Sequence, residues 1–104
     1  MMLLTKELRA KLPKLYSQEK NPDPKVVVKF FTPTSNWTWY CTEGQEDGDD
    51  FTFFGLVHGF EEELGYFSLS ELQSVNGQLG LGVERDLHWD SETKLSQVKS
   101  GERR

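Results

Sequence analysis

The segment Phe51 to His58 (FTFFGLVH) is apolar on both parities, and it constrains the fold more than any other stretch of the chain. A strand with one wet face alternates apolar and polar side chains, whereas a strand covered on both faces does not. The segment therefore reads as a central strand, with Gly55 marking a bulge or a close backbone approach. Neighbouring strands are legible on either side. Asn36 to Thr42 (NWTWYCT) sets Trp37, Trp39 and Cys41 on one face against Asn36, Thr38, Tyr40 and Thr42 on the other. Lys25 to Phe31 (KVVVKFF) is β-branched and aromatic and is closed by Pro33 to Ser35. Leu64 to Phe67 reads as a fourth strand. Arg85 to Trp89, with Leu87 and Trp89 alternating against Asp86 and His88, reads as a short edge strand.

Helical signals frame this sheet. Leu4, Leu8, Leu12 and Leu15 form one stripe of a 3.6-period helix, with Thr5 as its cap and Glu7 in its first turn. Pro13 disfavours helix at Leu12, so the helix ends or kinks there, with a further turn over Lys14 to Lys20 and a rigid turn at Asn21-Pro22-Asp23-Pro24. In Ser68-Leu69-Ser70-Glu71 the spacing is that of a capping box, flanked by Phe67 and Leu72 as a hydrophobic staple, and Asn76-Gly77 is a helix stop. Gln78 to Val83 reads as a glycine-rich loop. The expected architecture is α+β: an antiparallel β-sheet of four to five strands with an N-terminal helix and a second short helix, Leu69 to Val75, packed on it. Residues 1–92 form the domain, and the polar stretch 93–104 reads as a flexible C-terminal tail.

At 104 residues and 12.0 kDa the chain fits one domain, whose core must draw on the aromatics clustered between Phe30 and Phe67. Cys41 is the only cysteine, which excludes an internal disulfide and a cysteine-based zinc cluster. The apolar start Met1-Met2-Leu3-Leu4 is too short for a signal peptide or a membrane span, so the expectation is a soluble cytoplasmic protein.

Charge is polarised along the chain. No lysine or arginine lies between Lys29 and Arg85, yet ten acidic residues do, so residues 30–84 carry −10 against +4 for residues 1–29 and +1 for residues 85–104. Such a field repels polyanions, so direct nucleic-acid binding is not expected. The same deficit argues against base stacking on Trp37, Trp39, Tyr40, Phe51, Phe53 and Phe54, because stacking platforms are edged with Lys and Arg. Glu43 to Asp50 (EGQEDGDD) reads as a solvated acidic loop and Glu61 to Glu63 as a second acidic turn.

Catalytic signals are sparse. His58, Glu61 and nearby Glu62 and Glu63 offer metal-ligand atom types, but without a metal-site spacing, and a strand end running into a turn would splay them. The acidic loop lacks the alternation and terminal glutamate of a calcium loop. Cys41 shares the inward parity of Trp37 and Trp39 and reads as a buried thiol; Ser68 and Ser70 are absorbed by helix capping. No catalytic residue, metal or cofactor is assigned.

The strings LLTKELRAKLPKLYSQE, KNPDP, VKFFTPTSNWTWY, FGLVHGFEEELGYFSLSEL and LGLGVERDLHW resemble a bacterial domain-of-unknown-function family, the one numbered 2958, over about Leu3 to Trp89. The resemblance implies an accessory product of plasmids, phages and integrated elements, often encoded near antirestriction genes and similar to inhibitors of RNA-guided nucleases. It carries over no catalytic residue. The function expected is therefore a non-catalytic binding protein that occupies the basic nucleic-acid surface of a defence nuclease through Glu43, Glu46, Asp47, Asp49, Asp50, Glu61, Glu62 and Glu63. The two acidic clusters would sit at opposite ends of the central strand, ~25 Å apart at 3.3 Å per residue. Alternatives are a protein-protein adaptor anchored by Tyr16, Phe60 or Trp89, or a small metal-dependent enzyme using His58.

Overall fold

The computed structural model describes residues 2–75 and 81–103, and in it the doubly apolar segment lies inside a sheet. The elements in chain order are α1 (Lys6–Lys11), β1 (Val28–Phe31), β2 (Thr38–Asp47), β3 (Asp50–His58), β4 (Glu62–Ser68), α2 (Leu69–Ser74), β5 (Glu84–Arg85) and α3 (Leu95–Lys99). The five strands are all antiparallel, in the order β4-β3-β2-β1-β5. The fold is a small α+β sheet with three short helices. Residues 76–80, which hold the expected helix stop and half of the glycine loop, lie outside the described residues.

Both faces of the sheet are covered, which is why β3 is apolar on both parities. On one face Phe30, Trp39, Cys41, Phe51, Phe53 and Phe67 pack under Leu69 and Leu72 of α2 and under Leu4 and Leu12, which flank α1, with Leu8 of α1 partly buried against them. On the other, Tyr40 and Leu56 pack with Val26, Leu95, Val98 and Trp89. The caps fall where the sequence places them. Thr5 accepts the Leu8 amide at 3.2 Å, and Ser68 accepts the Glu71 amide at 3.2 Å. Leu12 leaves the helical region because Pro13 follows it. The return arm of the expected capping box is not formed at Ser68; Asp50 holds the Ser70 amide instead, at 3.1 Å.

Four expectations are corrected. The chain does not loop out after Thr42: β2 runs on to Asp47, and the turn is confined to Gly48 and Asp49, with Gly48 at φ 60°. Glu62 and Glu63 are strand residues rather than a turn, paired with His58 and Val57. The expected edge strand shortens to β5, because the chain turns at Leu87 and His88 and sends the Trp89 indole N–H to the Val26 carbonyl at 2.8 Å. Residues 93–103 do not leave the domain as a tail. They carry α3, whose Leu95 and Val98 are buried, and whose first turn is clamped by Asp23 on the Ser96 amide (2.8 Å) and hydroxyl (2.6 Å).

Candidate functional site

The long hairpin arm of β2 is displaced by a bulge, and the displacement decides where its carboxylates go. Pairing jumps from Cys41↔Gly55 to Glu43↔Phe54, and Thr42 turns its hydroxyl to the Phe54 carbonyl at 3.2 Å. Glu43 thereby lands on the face of Phe54 and is only 4 % exposed. Its carboxylate accepts the backbone amides of Tyr16 (2.9 Å) and Gln18 (2.7 Å). The Gly44 amide donates to the Pro13 carbonyl at 2.8 Å and the Leu15 amide to the Gln45 side chain at 3.2 Å, so the segment after α1 is laced to β2.

That lacing poses Tyr16 at φ 70°, a left-handed conformation that bulky residues rarely adopt. Its ring is 58 % exposed and lies 6.1 Å from Tyr66, which in turn packs 4.8 Å from Phe54. With Leu64 these rings line a concavity of about 370 Å³. Desolvation, followed by a hydrogen bond that the Tyr66 hydroxyl donates to Tyr16, raises the Tyr66 phenol above its ordinary value of 10.0.

At the β2–β3 turn the carboxylates are mostly engaged with the protein itself. Glu46 pairs with Arg9 at 2.5 Å, Asp47 accepts the Thr52 hydroxyl at 3.0 Å, and Asp50 accepts the Ser70 hydroxyl at 2.6 Å and the Phe51 amide at 2.8 Å. The Ser70 hydroxyl is the main reason that the Asp50 carboxyl lies below its ordinary value of 3.8. Among the described residues, Asp49 is the one carboxylate of this cluster whose side chain makes no such contact.

The β3–β4 turn at the far end of β3 is different. Phe60 stands at its tip with 95 % of its surface exposed, yet its ring is seated edge-on against Trp37, 5.6 Å between centroids, and Trp37 stacks on Trp39 at 6.0 Å. Gly59 makes room for this seat: a Cβ there would lie 2.4 Å from the Trp37 ring. Trp37, Val57, Phe60, Glu61 and Glu63 enclose a shallow concavity of about 280 Å³. On the opposite side of the hairpin His58 and Glu62 face each other across the strands, Nδ1 to Oε1 at 2.9 Å, so the pairing that a splayed turn would have prevented is made. Among the described residues no three metal-ligating side chains gather, at His58 or elsewhere. Cys41 is fully enclosed, and burial pushes its thiol well above the ordinary range.

A family model described as a protein of unknown function, DUF2958, matches residues 3–103, nearly the whole chain. The chain belongs to the DUF2958 family. No curated protein and no solved structure matches it. Among the described residues of this DUF2958 chain, no helix is long and apolar enough to cross a membrane.

The eight carboxylates read from the sequence thus separate into unlike groups. Asp49 stands at one end of β3 and Glu61 and Glu63 at the other, while Glu43, Glu46, Asp47, Asp50 and Glu62 are each bonded to a neighbour within the fold. Of the candidate aromatic anchors, Phe60 and Tyr16 are exposed and Trp89 is turned inward over Tyr40, 5.8 Å between ring centroids. The Tyr16–Tyr66 concavity has no signature in the chain, because the two tyrosines meet only through the amide clamp at Glu43.

Proposed function

We propose that this DUF2958 protein is a non-catalytic binding protein that docks on a basic surface of another protein through the tip of the β3–β4 hairpin. The observation that carries this reading is Phe60. Leaving a phenylalanine in water forgoes roughly 2 kcal/mol or more of transfer free energy. A ring that already rests edge-on against Trp37 and stands free on its other sides has the character of an interface anchor. Glu61 and Glu63 flank it, within the stretch from 30 to 84 that holds no lysine or arginine. Such a surface attracts Lys- and Arg-rich partners and accelerates their encounter. Asp47 and Asp49, at the other end of β3, extend the same field without forming a continuous phosphate-like ladder. The family resemblance suggests a nucleic-acid-binding defence nuclease as the basic partner and inhibition as the outcome.

The test is capture from bacterial lysate by the wild-type chain beside Phe60→Ala and Glu61→Gln/Glu63→Gln, followed by titration of the captured protein between about 0.05 and about 0.5 M salt. Phe60→Ala is expected to weaken binding at least tenfold at every salt concentration. The double Gln variant is expected to slow association chiefly at low salt. Binding of equal strength by Phe60→Ala and wild type, or capture of no basic protein by the wild type, overturns the reading.

A further inference from the structure

The two edges of the sheet are unequal. On one side the sheet ends in the two-residue β5; on the other it ends in β4, seven residues long. Among the described residues, the backbone of 63–67 pairs only with β3, so alternate N–H and C=O groups of this strand point away from the sheet. Apart from the carboxylates of Glu62 and Glu63 at its start, the devices that usually blunt such an edge are lacking. β4 has no proline, no lysine and no bulge in its register with β3. Its Leu64 and Tyr66 are 50 % and 55 % exposed, and at Gly65 between them a Cβ would meet nothing within 4 Å.

We propose that a second copy of this chain adds to the β4 edge, antiparallel, with the two-fold axis at Gly65, so that two five-stranded sheets become one continuous sheet. The strand is self-complementary in that register. Leu64 stands opposite the second copy's Tyr66, an aliphatic-aromatic cross-strand pair, while Glu63 faces Phe67 and Glu62 faces Ser68. Other registers are poorer. Moving the axis to Leu64 sets Tyr66 against Glu62, and moving it to Glu63 sets two carboxylates face to face. With the axis at Gly65, the nearest like charges, the two Glu63, lie four residues apart along the paired strands, ~13 Å at 3.3 Å per residue. That is slightly more than the screening length at 0.1 M salt, so the repulsion between chains of net charge −5 is weakened there and falls further as salt is added. The dimer uses the strand edge and not the Phe60 tip, so it stands independently of the docking reading above.

The experiment is sedimentation velocity on the full chain over a wide concentration range, with Leu64→Lys, Gly65→Lys and Phe60→Ala beside the wild type. Near-ultraviolet circular dichroism verifies that each variant is folded. Wild type and Phe60→Ala are expected to reach twice the 12.0 kDa chain mass, and both lysine variants to return to 12.0 kDa. Gly65→Lys is the sharper probe, because the single chain has room for the side chain whereas the dimer must bring two ammonium groups together at its axis. A wild type that stays at 12.0 kDa at every concentration overturns the proposal, as does a dimer that survives both lysines. A monomer that instead protects the amides of 63–67 from hydrogen exchange only when a basic extended peptide is added replaces the second copy with a foreign strand.

Discussion

Glu43 holds the backbone of Tyr16 across 27 residues of sequence: its buried carboxylate accepts the Tyr16 amide at 2.9 Å and the Gln18 amide at 2.7 Å, so an acidic residue serves here as an internal clamp. A carboxylate taken out of water is tolerated only when its oxygens are bonded, and here one glutamate satisfies two amides of a segment that has no strand or helix to pair them. The clamp also fixes the left-handed Tyr16 and with it the Tyr16–Tyr66 contact.

Replacing the clamp should therefore unfasten a loop far from it. Glu43→Ala leaves two amides unpaired and is expected to cost roughly 2 kcal/mol or more in denaturant unfolding. Exchange of the Tyr16 and Gln18 amides should accelerate more than tenfold. Glu46→Gln, which removes a surface pair with Arg9, is expected to change stability by ~0.5 kcal/mol or less. Equal effects of the two substitutions would contradict the assignment of Glu43 to the interior.

Two glycines of facing strands predict opposite outcomes. Gly55 and Gly65 are paired in register, but a Cβ at Gly55 would lie 1.9 Å from the Tyr40 carbonyl oxygen, whereas one at Gly65 is in open space. Gly55→Ala must push apart strands already joined at the Thr42 bulge, and a loss of roughly 2–3 kcal/mol is expected. Gly65→Ala should fall within about 0.5 kcal/mol of wild type. The comparison of the two denaturation midpoints decides it.

The central strand was legible because burial on both faces removes the alternation that FTFFGLVH would otherwise show, and Thr5 and Ser68 were legible because a cap bonds within three residues. Glu43 was not. Its burial depends on a bulge and on amides at 16 and 18, none of which leaves a local mark, so composition alone assigned it to a solvated loop. Helix α3 was missed for a similar reason: five residues with two buried side chains have no period, and the clamp on Ser96 comes from Asp23, 73 positions away. In the candidate site the exposed ring of Phe60 followed from its place between a strand and a run of glutamates. Trp89 misled, since nothing nearby indicates that its indole reaches back to Val26.

Acid should find the two aspartate clamps. Asp23 and Asp50 each bond the amide and hydroxyl of the second residue of a helix, Ser96 in α3 and Ser70 in α2, and in both cases the serine hydroxyl is the main cause that lowers the carboxyl below 3.8. A carboxyl depressed in the fold stabilises it above the unfolded value and loses that contribution as pH falls through the folded one. Stability should therefore drop with pH from near 4 downward. Asp23→Asn and Asp50→Asn are expected to be less stable than wild type at pH 7, with the gap narrowing toward pH 2, measured as thermal midpoints along a pH series. A gap independent of pH would assign the loss to packing.

The conformation of Tyr16 offers the last test, because fold and contact make opposite demands on the residue. A left-handed backbone costs an L-residue on the order of 1 kcal/mol, least for glycine and asparagine. Tyr16→Asn keeps the amide that Glu43 accepts and relieves that strain, at the loss of the contact with Tyr66. The variant is expected to unfold at a denaturant concentration equal to or above that of wild type, and the Tyr66 phenol, freed of the Tyr16 hydrogen bond, should titrate closer to 10.0. Ultraviolet difference titration of the phenols reads the second effect independently of the first. A markedly less stable variant would show that the Tyr16–Tyr66 contact outweighs the strain and that Tyr16 is held there by the fold. A stable one would mean that the tyrosine is retained against the preference of its own backbone, and that the groove it completes is kept for contact with something outside the chain.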